Sequence, residues 1–219
     1  MVMGTSYNPR IVTENLVFCV DAANVRSYDG SSSTCLDLKG KQTGTLRNGV
    51  SFSEENGGTF VFDGTDDHIT TTYNAVTGQN PRTVSIWYNS DLSQSKNLLG
   101  WGSNSNHRLW DVLLYNGKVG VHLYNSTNEA GATYTNNVWQ NIVFTYTHPT
   151  IKSYMDSVYQ ASYTNSIINT GSNFDLNIAK GNYSYFYFNG NISNVSIYDR
   201  ELSPDEIRQN YLATKERYA

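Results

Sequence analysis

The stretch FVFDGTDDHIT, residues 60–70, sets Asp63, Asp66 and Asp67 within five positions between two apolar runs. The runs read as short strands and Asp63-Gly64 as the turn between them, so the aspartates would form the polar tip of a hairpin. Three chemistries fit such a tip: a catalytic carboxylate set, a calcium site, or aspartates that bond local amides and stay solvated.

Outward from this point the same pattern of short strands and turns repeats. LVFCVD (16–21) is continuously apolar, as in a strand buried on both faces. RTVSIWYNS alternates Val84, Ile86 and Tyr88 with Thr83, Ser85 and Trp87, and VWQNIVFTYT (138–147) places Ile142, Phe144 and Tyr146 on one face. Asn116-Gly117 marks a hairpin inside a meander, and IKSYMDSVYQASY a second hairpin. About a dozen strands with regular turn spacing indicate an all-β, two-sheet antiparallel sandwich or jelly roll rather than a βαβ fold. The composition agrees: charged residues are 16% of the 219, aromatics 13%, and there are 17 Tyr and 17 Gly. Residues 1–15 read as an irregular lead-in and 16–219 as one domain. A single helix of about 203–217 closes it, with Ser203 as N-cap, Pro204 in the first turn and Glu206 completing a capping box. That helix is expected on the sandwich edge.

Net charge is −4, and no run of Lys or Arg exceeds two residues, which excludes a nucleic-acid interface that must replace phosphate counterions. No apolar stretch reaches membrane-spanning length, so no membrane partner is expected. MVMGTSYNPR lacks a basic and apolar leader, so synthesis in a cytosol is expected. Cys19 reads as a buried strand residue, and a Cys19–Cys35 disulfide is not expected without a secretion route.

GGTFVFDGTDDHIT, taken with FNGNISNVSIYDRELSPDEIRQNY far downstream, resembles the laminin-G-like, concanavalin-A-like jelly-roll modules. Phe188, Gly190, Ile192, Val195, Ile197, Tyr198, Arg200, Leu202, Ser203, Glu206 and Ile207 fill the second motif, and the likeness runs over about residues 16–212. It is nearest to stand-alone versions in tailed-phage structural proteins, whose ends resemble ATKERYA. One departure is Met155-Asp156-Ser157, where the family hairpin carries Asn-Gly or Asp-Gly; that turn is expected to be built differently. In the late motif, Gly190 is expected at the turn before a long strand, and Asn191–Asn194 to mark a bulge.

The resemblance also implies a search for sugar chemistry. Hydrolases on this sandwich carry two glutamates and an aspartate as E-x-D-x-E on one strand. This chain has seven glutamates and no such spacing, and Glu54-Glu55 would face opposite ways. No catalytic residue is therefore assigned. Carbohydrate or partner binding is assigned to two aromatic segments. In GNYSYFYFNG, Tyr183, Tyr185 and Tyr187 share one strand face, with Phe186 and Phe188 on the other, in the core. In WGSNSNHRLW, Trp101 and Trp110 flank Asn104, Asn106, His107 and Arg108. Calcium at Asp63, Asp66 and Asp67 is the one metal candidate, with Asn189 or Asn191 near it if the two motifs are neighbours; no cofactor is required.

These observations lead to a non-enzymatic, virion-exposed decoration or fibre-like protein, made in the host cytoplasm and repeated as a homo-oligomer. Neighbouring virion proteins and host surface glycans are its expected partners. A purely structural decoration protein and a glycan-active lectin or hydrolase are the alternatives.

Overall fold

In the sequence RTVSIWYN, both sides of the alternation turn out to be covered. Val84, Ile86 and Tyr88 enter the main core, while Thr83, Ser85 and Trp87 lie on the opposite face, and Thr83, Ser85 and Trp87 are buried too. The computed structural model describes residues 9–90, 96–125, 129–182 and 186–219. Among these, sixteen strands form two antiparallel sheets.

Sheet I runs in the order β14 (Val158–Thr164), β13 (Thr150–Met155), β12 (Gln140–Thr147), β7 (Arg82–Asn89), β16 (Asn189–Tyr198). It continues through β5 (Thr59–Asp63) to β4 (Ser51–Ser53), and β1 (Leu16–Asp21) also pairs with β16. Sheet II begins β11 (Glu129–Thr133), β10 (Lys118–His122), β9 (Leu109–Tyr115), β8 (Lys96–Gly102). It ends β15 (Phe174–Ile178), β6 (His68–Thr71), β3 (Thr43–Arg47), β2 (Thr34–Leu36). Phe18, Phe60, Phe62, Trp101, Trp110 and Phe144 are among the rings that fill the space between the sheets. This is the two-sheet sandwich that the strand spacing predicts.

Several local expectations hold and several change. The bulge in β16 is present: its register against β7 shifts between Ile192 and Asn194. Ser193 marks the point where the other edge of β16 passes from β5, paired at Asn189–Ile192, to β1, paired at Asn194–Tyr198. Gly190, expected in a turn, lies inside β16. The opening stretch is not a hairpin either. β5 belongs to sheet I and β6 to sheet II, so Asp63–Asp67 is a crossover between the sheets. Alternation marks strands but does not say which sheet each joins.

The helix, α1 (Pro204–Thr214), has the expected cap: the Ser203 side chain accepts from the Glu206 amide, and Glu206 bonds back to the Ser203 amide. The Arg200 guanidinium grips the same Glu206 carboxylate through two bonds of 2.8 and 2.7 Å. Its position corrects the expectation of an edge helix. α1 and the 3₁₀ turn after it (Lys215–Tyr218) lie on the outer face of sheet I. Trp87 stacks on Tyr211 and Tyr218 there, and its indole N–H donates to Thr214 Oγ1 at 3.0 Å. Val143, Tyr154, Tyr198, Leu202 and Ile207 form a second apolar cluster at the same face. Leaving such side chains in water would forfeit about 1.5–3 kcal/mol each, which is why the face, not the edge, takes the cover.

Arg82 is 0% exposed and, among the described residues, has no acidic partner. Its guanidinium lies against the Trp110 and Tyr146 rings, 4.9 and 5.0 Å from their centroids. It donates to the carbonyls of Val76, Gly78 and Asn80 and to Thr170 Oγ1. Burial lowers its pKa from the usual 12.5 to about 10, which still leaves it a cation at neutral pH. The charge is thus used to hold one connection, residues 72–81 between β6 and β7.

Asp156 and Ser157, the departure from the family hairpin, have φ of 51° and 68°. Both central residues are therefore left-handed, the backbone of the Asn-Gly type, carried here without glycine. This corrects the expectation that the turn is built differently: Asp156 Oδ1 accepts from the Asn141 amide and fixes the turn in place. Ser157→Gly should stabilise the fold by about 0.5–1 kcal/mol, read by urea denaturation; a loss of stability would show that the serine side chain contributes. Arg82→Met, which takes the donor from Asn80 O and one of two donors from Val76 O and Gly78 O, should cost about 3 kcal/mol in the same assay. A loss below about 1 kcal/mol would mean that water replaces the guanidinium.

Candidate functional site

The connection held by Arg82 forms one wall of a cleft, a cavity of about 620 Å³. The opposite wall is the turn between β2 and β3, carrying Lys39, Lys41 and Gln42, and the start of β1 adds Leu16 and Val17. Tyr73 lies in the lining with its ring stacked on Phe18 at 5.0 Å, so it is a floor and not a free platform. Apolar Ala75, Val76 and Pro81 alternate with Asn74, Thr77 and Asn80 along the 72–81 wall, and Asp199 closes one side.

The wall is fixed from behind by two buried side chains. Val76 O accepts from Arg82 Nη1 at 2.8 Å and from Trp101 Nε1 at 2.9 Å. Gly78 and Thr170 also exchange backbone bonds, which fastens the same loop to the chain beside β15. The polar groups in front are less engaged. Gln42 Oε1 accepts from Thr72 Oγ1 and Asn80 Nδ2 donates to Thr77 O. Among the described residues, the side chains of Asn74, Lys39 and Lys41 are exposed and take no hydrogen bond or ion pair. A rigid wall facing uncommitted amide and ammonium groups suits a polar ligand with many hydroxyls. Its two acids, Asp37 nearby and Asp199, do not face each other as a catalytic pair: Asp199 Oδ1 accepts from Asn15 Nδ2 and Asp37 Oδ1 from two main-chain amides.

None of the described residues assigned from sequence lines this cleft. Trp101 is 0% exposed, a core ring that supports the wall through its N–H, and this corrects its assignment as a ligand-facing aromatic. Asn104, Asn106 and Arg108 are exposed on the 103–108 loop. His107 (φ 56°) is half-buried, its ring nitrogens near the Asn125 and Asn165 amides. Asn104 Nδ2 donates to Asn182 O, so the two aromatic segments do meet at one end. Tyr183 and Tyr185 lie outside the described residues. Tyr187 packs on His68 and lies under Lys180 Nζ at 5.7 Å, beside sheet II. Residues 186–188 precede β16 instead of extending it, and Phe186 is 44% exposed while Phe188 is buried. The expectation of both phenylalanines in the core therefore holds for Phe188 alone.

The three aspartates do converge, with one ligand oxygen from each within 4.8 Å. Asp63 Oδ1 accepts from the Thr65 amide, which holds its pKa down, while burial raises that of Asp67, whose Oδ2 accepts from the Asp63 amide. Asn189 is the register partner of Asp63, which brings the two motifs together. Gly64 is required here: at φ 77° a Cβ would come within 2.6 Å of Asn189 Cβ. Lys96 Nζ donates to Gly64 O at 3.1 Å, so a cation of the protein already sits on one carbonyl of the crossover. Cys19 and Cys35 are both free and buried, and no described helix is long and apolar enough to cross a membrane.

The Concanavalin A-like lectin/glucanases superfamily model matches residues 63–208. No curated protein matches the sequence. Domain 4 of AbnA, a GH43 extracellular arabinanase from Geobacillus stearothermophilus solved with arabinotriose, superposes with a TM-score of 0.70 at 18% identity. That match covers 91% of this chain and 98% of the domain. The botulinum neurotoxin type G receptor binding domain (TM-score 0.67, 16% identity) is covered over 51% of its length by 90% of this chain. A mutant Trypanosoma rangeli sialidase displaying trans-sialidase activity (TM-score 0.69, 14% identity) is covered over 34% by 95%. The chain thus spans about half of the toxin domain and a third of the sialidase. At these identities the likeness is one of fold, which enzymes and binding domains share. Its match to the superfamily extends over more than half of its length, from the three-aspartate crossover to the capped helix, and the chain belongs to the concanavalin A-like lectin/glucanases superfamily.

Proposed function

We propose that this chain is a non-catalytic saccharide-binding module that works in adhesion, with the 620 Å³ cleft as its site. The observation that carries the proposal is the cleft wall: the carbonyls of Val76, Gly78 and Asn80 are fixed from behind by Arg82 and Trp101, and the side chains of Asn74 and Asn80 line the cleft. Preorganisation of this kind lowers the ordering cost of binding a hydroxyl-rich ligand. The arabinotriose complex of AbnA domain 4 adds support, since the match covers 98% of that domain. The absence of an E-x-D-x-E strand and the engagement of both acids near the cleft support a binding role over hydrolysis. The ATKERYA resemblance supports placing the module on a virion exterior, as a repeated component beside other virion proteins.

Glycan-array screening of the full chain, followed by calorimetry on the best ligand, tests the site. Asn74→Ala should weaken binding about tenfold, or about 1.4 kcal/mol, without lowering the melting temperature. Loss of binding in Tyr187→Ala with Asn74→Ala silent would move the site to the sheet II surface. No binding to any glycan, with stable incorporation into particles, would favour a purely structural decoration protein, and release of reducing sugar would overturn the non-catalytic assignment.

The three-aspartate crossover is proposed to need no metal, because local amides bond one oxygen each of Asp63 and Asp67 and Lys96 bonds the Gly64 carbonyl. Chelator should shift the melting temperature by no more than a few degrees, roughly the effect of 1 kcal/mol. A large loss reproduced by Asp63→Asn would establish calcium as a structural ion there.

A further inference from the structure

The 620 Å³ cleft is not isolated. A second cavity of about 310 Å³ adjoins it, and the two share Lys41 and Gln42. The 37–42 turn is therefore a saddle between two hollows, with Lys39 lining the first, Arg26 the second and Lys41 both. All three cations are exposed, and among the described residues none has an ion-pair partner. Two acids share the lining, each with one oxygen bonded locally, while Asp37 Oδ2 is buried with no partner among the described residues. Asp37 Oδ1 accepts from the Cys19 and Lys39 amides at 2.8 and 3.1 Å, and Asp199 Oδ1 from Asn15 Nδ2 at 2.8 Å. In a chain with a net charge of −4, three exposed cations against the two carboxylates Asp37 and Asp199 leave this groove with a local excess of positive charge.

We propose that the two cavities form one groove for an acidic oligosaccharide, laid across Lys41 with its carboxylate or sulfate groups toward Lys39, Lys41 and Arg26. The inference rests on the saccharide-binding assignment above and adds the ligand class: charged and longer than one sugar. Exposed ammonium–anion contacts are individually weak and screened by salt, so recognition requires several in series, which the spacing over two hollows supplies. The uncommitted Asn74 amide and Gln42 offer neutral hydrogen bonds to sugar hydroxyls between the charges, which a simple polyanion would leave unused.

Calorimetry with the full-length protein tests this with four probes: an oligogalacturonate, a heparin-derived oligosaccharide, a neutral oligosaccharide of the same length, and polyglutamate. At least one acidic saccharide should bind, and the carboxylate and sulfate arms identify which anion is preferred. Its affinity should fall about tenfold as salt rises from about 50 to about 300 mM. Lys41→Gln with Arg26→Gln should weaken it by about tenfold and flatten its salt dependence, with the melting temperature unchanged. Equal binding of neutral and acidic oligosaccharides, lost in Asn74→Ala but not in the charge variants, would overturn the acidic class and leave the cleft as a saccharide site. Equal binding of polyglutamate would overturn it as mere anion attraction. Binding of no probe and of no glycan on the array would remove both proposals.

Discussion

Arg82 is the constraint on which the working side of the molecule depends. A guanidinium enclosed by Trp110 and Tyr146 has lost its water, and only hydrogen bonds from its fork can offset that. The three carbonyls it reaches belong to one connection, so satisfying the cation and shaping the loop are the same event. A carboxylate partner would have neutralised the charge without specifying backbone positions. Carbonyl partners make the loop conformation a condition of burying the arginine.

A second constraint organises the other side of the sandwich. β16 pairs with β7 along nearly all its length, but its opposite edge is shared in succession by β5 and β1. The bulge at Ser193 is where one partner gives way to the next, and Ser193 O accepts from the Ala22 amide while its hydroxyl donates to Gly58 O. Arg217, after α1, donates to the same hydroxyl and to Asp21. The bulge, the strand exchange and the seating of the C-terminal turn are thus one connected arrangement.

Much of this was legible in the sequence, and the rest was hidden for identifiable reasons. Alternation located Val84, Ile86, Tyr88, Ile142 and Phe144 in the core, and the Ser203–Glu206 pattern placed the helix cap, because both signals are local. Sheet membership is not local, so Asp63–Asp67 read as a hairpin although it joins two sheets. The helix read as an edge element because Trp87 and Val143 lie on what alternation labels the outer face, and their size, not their spacing, demands a cover. The cleft draws on residues 16–17, 39–42, 73–81 and 199, segments with no common motif. Trp101 reads as a ligand-facing ring because a tryptophan beside a polar loop has the same sequence signature whether it faces sugar or supports a wall. Arg82 itself, at the head of a clean strand, gave no sign that its charge would be buried.

The tryptophans divide along the same lines. Trp87 and Trp139 flank Tyr218 on the outer face of sheet I, at ring distances of 4.0 and 4.9 Å. Trp101 and Trp110 stack on each other at 5.7 Å in the core, one bonded to Val76 O and the other beneath Arg82. With four tryptophans in the chain, the molecule carries two separate optical reporters and no others of that kind. Emission from the first pair follows the seating of the last turn, and emission from the second follows the sandwich interior behind the cleft. Single replacements by phenylalanine would separate the two signals, allowing release of the C-terminal segment to be timed against the opening of the core in one fluorescence trace.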